Sequence, residues 1–285
     1  MAEYVDLQVV AFPQDGIFST AGAARSLVRA VEAGVDVIGG IPQQELTRED
    51  GIRSVEYVFE LAQKHGKLVD IHTDETGDDQ SRFAEVIAKE TIVNGMEGLV
   101  TASHTTAMHN YHNDYAAKLI GLLRRADVNI VTNPGSNLLL QNRLDDYPKG
   151  RGHTRVDQLL AAGVNVSVGN DNITDPFGPF GKGSMLQSAH LLIHTAHLSG
   201  RPQMDQVFDM ITTNGARTLH LNDYGIEEGN SADCVILDAA DEYEALRLTS
   251  ECLYVIRRGK IIACSTPTRR EVRLAGGAVT VDFKI

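Results

Sequence analysis

No apolar run in the sequence approaches the roughly 18 residues that cross a bilayer, and its start, Met1-Ala-Glu-Tyr-Val-Asp6, has neither a basic stretch nor an apolar core. Neither a membrane anchor nor a secretory leader is therefore expected, and the cytoplasm is the expected location. Cations are in deficit: 26 Lys and Arg against 38 Asp and Glu leave a net charge of -12. Such a surface repels phosphate backbones and anionic lipid, which argues against nucleic acid and membrane as partners. Cysteine is scarce. Cys234, Cys252 and Cys264 show no CxxC spacing and read as small buried hydrophobes in a reducing compartment. No glycine-rich phosphate loop (GxGxxG, or GxxxxGK before Ser or Thr) follows a strand-like run, and no low-complexity segment or flexible linker is present. What remains is ordinary for a globular chain: 285 residues, 42% hydrophobic and 22% charged, enough for one large domain with or without a small one.

Short β-branched runs alternate with amphipathic stretches. Strands are expected at 5–12, 36–41, 68–72, 98–104, 129–132 and 165–169, with helices at 23–33, 49–65, 79–94, 114–126 and 154–162. Val55, Val58, Phe59 and Ala62 illustrate the helical spacing, and Gly34, Gly66, Asn94 and Gly163 stand where left-handed C-caps belong. Strand starts recur at ~30 to 36 residues, the length of one βα unit. Strands apolar on both faces belong in a covered parallel sheet. Two α/β architectures satisfy this pattern, a TIM-type barrel and an open doubly wound sheet. After helices at 185–198 and 204–219 the pattern turns strand-rich, at 232–237, 253–257, 260–263, 271–274 and 279–283, with Arg258-Gly259 as a hairpin turn. Residues 1–224 thus read as a partial barrel and 225–285 as a small β-domain.

In a barrel, chemistry sits at the C-terminal strand ends. The first expected strand leads to Gln14, the third ends in His72-Thr-Asp-Glu75, the fourth in Ser103-His104, and the sixth in Asn170-Asp171-Asn172. Two imidazoles and a carboxylate, His72, His104 and Asp171, suit a borderline divalent cation as ligands or as groups that orient water. Glu75 stands where it can shuttle protons. Taken singly, each histidine is as well explained as a core residue and Asp171 as a helix cap; equivalent positions on different strands favour a shared site. His190, His194 and His197 share a helix face, but Leu191 occupies the place of a zincin's catalytic glutamate, so they read as helix histidines. His109 and His112 receive no role.

At these residues the chain resembles the cytosine deaminases of the amidohydrolase superfamily. The resemblance rests on Val5-Asp-Leu-Gln-Val-Val-Ala-Phe-Pro-Gln-Asp-Gly16, Asp74-Glu75 with Gln80-Ser-Arg-Phe83, and Thr101-Ala-Ser-His-Thr-Thr-Ala-Met-His109. It continues in Leu140-Gln-Asn-Arg-Leu-Asp-Asp-Tyr-Pro-Lys149, Ala216-Arg-Thr-Leu219, Asp223-Tyr-Gly-Ile226 and Gly229-Asn-Ser-Ala-Asp233. It implies a (β/α)8-type barrel of which about six βα units are present, with one divalent metal, iron or zinc, bound by His72 and Asp171. It further implies that His104 orients and deprotonates water, Glu75 moves protons on the ring and leaving amine, and Gln14 holds the carbonyl edge of a heterocycle. Relatives form homo-oligomers, so one is expected here. Two positions depart from the pattern: Asn172 replaces a second aspartate and Phe177 a tryptophan that closes the pocket. An amide donates where a carboxylate only accepts, so the substrate is expected among cytosine-like pyrimidines and triazines generally.

The family's first strand carries a His-x-His pair that supplies two metal ligands, and Met1 precedes what resembles the third strand. Two ligands are fewer than catalytic sites supply. These 285 residues are therefore expected to be inactive alone and the complete gene product to be a hydrolase. Competing readings are hydrolysis of a cyclic amide or an alkylamino-triazine, and a metal-free doubly wound binding module.

Overall fold

The structure is a computed structural model that describes residues 3–150, 152–281 and 283–284. Six strands, β1 (Val10–Ala11), β2 (Val37–Gly40), β3 (Leu68–Thr73), β4 (Val100–His104), β5 (Asn129–Thr132) and β6 (Val166–Val168), form one sheet. Every pairing is parallel and the strands lie in chain order, β1-β2-β3-β4-β5-β6. A doubly wound sheet reverses its order at a switch point. An order without reversal keeps all crossovers turning one way, with the helices on one face. The fold is therefore of the TIM-barrel type, with six βα units among the described residues.

The helices are α1 (Ala23–Glu32), α2 (Arg48–His65), α3 (Phe83–Asn94), α4 (Asn113–Arg125), α5 (Pro134–Leu140), α6 (Val156–Ala161), α7 (Met185–Thr195), α8 (Arg201–Met210) and α9 (Thr213–Thr218). In α2 the physics is plain. Thr47 accepts a hydrogen bond from the Asp50 amide at 3.1 Å and caps the first turn. Val55, Val58, Phe59 and Ala62 form the buried stripe, and Gly66, at φ 60°, closes the helix in a left-handed conformation. Strand β3 alternates in the same legible way: Val69 and Ile71 are buried, while Asp70 and His72 stand half-buried on the opposite face. Ile38, Ile71, Ile87, Leu119, Ile130 and Leu192 carry the core from sheet to helices.

Beyond α9, β7 (Cys234–Leu237), β8 (Cys252–Arg257) and β9 (Lys260–Cys264) form an antiparallel sheet, and β10 (Glu271–Leu274) pairs with β11 (Gly277–Thr280) as a separate hairpin. Arg258 and Gly259, at φ 48° and 74°, make the expected turn, since two successive positive φ angles match the twist of the flanking strands. Helix α10 (Glu242–Leu248) interrupts the strands.

Several expectations need correction. The first strand pairs only over Val10–Ala11; the Val9 amide bonds instead to the Asp36 carboxylate at 2.8 Å. Gly95, at φ 63°, and not Asn94 takes the left-handed cap of α3. The helix expected at 204–219 breaks into α8 and α9 around Thr212, whose φ of -127° is not helical. Helices α5 and α10 were not expected; α5 opens on Pro134, and proline is well suited to a first helical turn. The thiols are free but not buried: Cys234 and Cys252 are half-exposed and Cys264 is exposed. The strand expected at 279–283 ends at Thr280 by pairing, and Asp282 lies outside the described residues, as do Met1 and Ala2. Among the described residues, no helix is long and apolar enough to cross a membrane.

Candidate active site

Strands β3 and β4 bring three of the expected residues together. Register pairs Thr73 with His104 and His72 with Ser103, so regular alternation would put His104 on the opposite face from His72. The backbone prevents this. His104 and the following Thr105 adopt φ angles of 70° and 48°, which turn the His104 ring against that of His72, with centroids 4.4 Å apart. Non-glycine residues in this region are strained, and such strain gathers at functional sites.

Glu75 completes the cluster. One carboxylate oxygen lies 3.4 Å from His72 Nδ1 and the other 3.6 Å from His104 Nδ1. Ligand atoms of His72, Glu75 and His104 all fall within 4.8 Å of one another, a spacing and donor set that fit a divalent cation. The loop carrying Glu75 is held by its neighbour. The buried Asp74 carboxylate accepts from Ser81 Oγ at 2.7 Å, from the amides of Phe83 and Ala84 at 2.8 and 2.9 Å, and from Tyr111 Oη at 3.2 Å. These bonds cap α3 and fix the loop in one motion. Burial pushes the Asp74 pKa up, against the pull of the same four donors.

The two imidazoles differ in charge state. His104 is fully buried, and burial above all depresses its pKa to about 3, the Glu75 charge and the Asn137 hydrogen bond opposing that shift. It is neutral at physiological pH. Burial also works against a proton on His72, but the Glu75 hydrogen bond and the charges of Glu75, Asp70 and Asp171 together raise its pKa. Phe12 packs on the His72 ring with centroids 4.5 Å apart.

Other residues in the cluster were not found from the sequence. Asn137 reaches within 2.8 Å of His104 Nδ1, Asn133 within 3.4 Å of either ring nitrogen, and Gln141 donates to Glu75 at 3.4 Å. Asn133 follows β5 directly and Asn137 and Gln141 lie on or just after α5, one turn apart. The strand-end rule, applied to β5, points to Asn133, and helical spacing then leads to the other two. Gly169 makes room: a Cβ there would stand 2.1 Å from Asn133 Oδ1. Beneath His72, Ser103 donates to Asp70 at 2.6 Å.

The remaining expected residues do not join that cluster. Asp171 is exposed, at φ 62°, and its charge acts on His72. Asn172 spends its amide within the protein, accepting from Ser136 Oγ at 3.0 Å and donating to Asp175 at 2.8 Å. It lines a cavity of about 390 Å³ with Leu138, Leu139, Leu191 and Phe180. Phe177 is 56% exposed and Gln14 lies exposed in the turn after β1.

A parallel sheet in chain order, with imidazoles and a carboxylate at the C-terminal ends of neighbouring strands, is the arrangement of a barrel hydrolase. The chain belongs to the amidohydrolase family, whose match runs over residues 1–263. The N-isopropylammelide isopropyl amidohydrolase of Pseudomonas sp. strain ADP is 30% identical over 264 residues, covering 92% of this chain and 62% of the relative. The pterin deaminase of Rhizobium rhizogenes strain K84 is 32% identical over 277 residues, covering 96% and 62%. A crystal structure of 5-methylcytosine deaminase from Klebsiella pneumoniae liganded with phosphonocytosine superposes with a TM-score of 0.92 at 45% identity, covering 94% of this chain and 66% of that one. The chain thus spans about 62% of the length of the two sequence relatives.

Proposed function

We propose that this chain carries part of the site of a metal-dependent hydrolase that deaminates an amino-substituted nitrogen heterocycle, cytosine or a related pyrimidine or triazine. The convergence of His72, Glu75 and His104 carries this reading. One cation, zinc or iron, would be held at the His72 end of the cluster, with Asp171, whose charge acts on that imidazole, as the second ligand; when bound, it supplies the Lewis acidity that makes water nucleophilic near neutral pH. His104, neutral because it is buried, takes a proton from the attacking water, and the Glu75 charge 3.6 Å away stabilises the imidazolium that forms. Glu75 then takes that proton from the imidazolium and delivers it to the ring nitrogen beside the carbon under attack. As that carbon's new oxygen becomes a carbonyl, its remaining proton passes by way of Glu75 to the amine, the exocyclic C–N bond breaks, and the electron pair leaves with that proton as ammonia. Gln14 orients the ring's carbonyl edge, and Asn172 and Phe177 shape its far side.

The test is ammonia release from cytosine, 5-methylcytosine and pterin by the natural full-length polypeptide loaded with zinc or iron. Turnover of at least one, abolished by chelation, is expected. Metal-loaded protein that releases neither ammonia nor an alkylamine from any amino-heterocycle would sink the reading. Removal of an alkylamine is the second reading: Asn172 stands beside Asp171 and its amide is tied to Ser136 and Asp175, so that side of the site presents no second carboxylate to the substrate. Isopropylamine release from N-isopropylammelide separates the two.

A further inference from the structure

Helix α7 carries two histidines that the deamination chemistry does not use. His190 and His194 stand one turn apart on the helix, with ring centroids 4.6 Å apart at an interplanar angle of 51°. His190 Nδ1 lies 3.0 Å from the Leu246 carbonyl oxygen of α10, and His194 Nδ1 lies 2.8 Å from the His190 carbonyl oxygen. A carbonyl oxygen only accepts, so each Nδ1 carries a proton and donates it. In the neutral imidazole the lone pair then sits on Nε2. The backbone sets both rings in the same tautomer.

Both lone pairs are open to a ligand. Among the described residues neither Nε2 takes part in a hydrogen bond, and neither is an orphan sealed from water; His194 is exposed and His190 half-buried. Two imidazoles at positions i and i+4 of a helix can reach one cation at the about 2.0 to 2.1 Å of a zinc–nitrogen bond. Histidines that ligate a metal commonly donate the other ring N–H to a backbone carbonyl, which fixes tautomer and ring orientation. Both rings meet that condition. Leu191 stands where a zincin has its glutamate, and among the described residues no third His, Cys, Asp or Glu completes the pair. Such a site can hold a cation but supplies no base to activate its water.

We propose that His190 and His194 form an accessory site for a divalent cation that prefers imidazole, zinc or nickel, with water in the remaining coordination positions. The site shares no ligand with the cluster of His72, Glu75 and His104 and does not depend on the deamination reading. Its cation bridges successive turns of α7 at the place where that helix is bonded to α10 through Leu246. Binding to the folded state alone stabilises that packing by mass action.

Retention of the untagged full-length polypeptide on immobilised nickel nitrilotriacetate tests this. The chelate leaves neighbouring coordination positions that a pair of imidazoles can fill, and a matrix-bound ion reaches surface groups only. Wild type is expected to bind and to elute with imidazole. His190→Gln and His194→Gln, each of which keeps a donor for its carbonyl, should each abolish retention, whereas His197→Gln, just past the same helix, should not. Calorimetric titration with nickel should show one class of sites whose affinity falls about ten- to hundredfold in either variant, with the melting temperature in metal-free buffer unchanged. Three outcomes overturn the proposal: wild type that is not retained, retention undiminished in the double variant His190→Gln/His194→Gln, or small equal losses in all three single variants, the mark of an adventitious ion only.

Discussion

The two sides of the barrel mouth are built differently. On the β3–β4 side, His104, Asp74, Asn133 and Asn137 are buried and bonded to one another's neighbours, and backbone strain is held in place by packing. On the side that follows β6, Asp171 and Phe177 are exposed, and the loop is kept in shape mainly by Asp175, which accepts the amides of Phe177 and Gly178 at 2.9 Å each. On the deamination reading, the packed side fixes the groups that would move protons, where an error of an ångström costs rate. On the same reading the looser side would present the groups that choose among rings, and loops of this kind change with little cost to the fold.

Substitution on the two sides should separate along that line. Glu75→Gln keeps the shape of the side chain but cannot cycle a proton. On the deamination reading it should lower kcat about 10²- to 10⁴-fold with little change in melting temperature, measured as ammonia release. A loss smaller than tenfold would move the proton shuttle to another residue. Asp74→Ala strands three donors in the interior, Tyr111 keeping the Ser81 carbonyl as acceptor, and should cost about 3 kcal/mol or more in a urea titration. A cost below about 1 kcal/mol would show that the loop is not anchored as described.

Acid should attack the packed side next. His153 is buried beside Thr154, which is hydrogen-bonded to Thr105, and burial first, then the nearby His109, depress its pKa to about 4. The unfolded chain binds a proton near pH 6.5 while the folded chain refuses it. Its contribution to stability is therefore complete above pH 6.5 and is lost as pH falls toward 4, by up to about 1.4 kcal/mol per pH unit. His153→Leu should flatten the stability profile over that window; an unchanged slope would refute the assignment. On the loose side, Phe177→Trp should shift stability by less than about 0.5 kcal/mol and act on substrate preference alone. A large stability change would place Phe177 in the packed core.

Much of the packed side was legible from sequence. The spacing of Val55, Val58, Phe59 and Ala62 and the alternation around His72 follow from burial, which periodicity reports directly. The pairing of His72 with His104 was legible as two polar residues at neighbouring strand ends, but its geometry was not. It depends on a left-handed backbone at His104 that no hydrophobic pattern encodes. Asn137 escaped because the turn-forming residues Asn133-Pro-Gly-Ser136 mask a seven-residue helix. The shortness of β1 escaped because partner choice, here the Asp36 side chain for the Val9 amide, is a tertiary matter.

The positive φ at His104 also governs how its chemistry can be dissected. A β-branched or bulky replacement would add strain in that backbone region, next to a Thr105 already held at φ 48°, and would load it on the end of β4. Asparagine tolerates the conformation, so His104→Asn removes the imidazole while sparing the strand, whereas an inactive His104→Val would confound lost chemistry with added backbone strain. At this position the informative mutant is chosen by dihedral angle before it is chosen by charge.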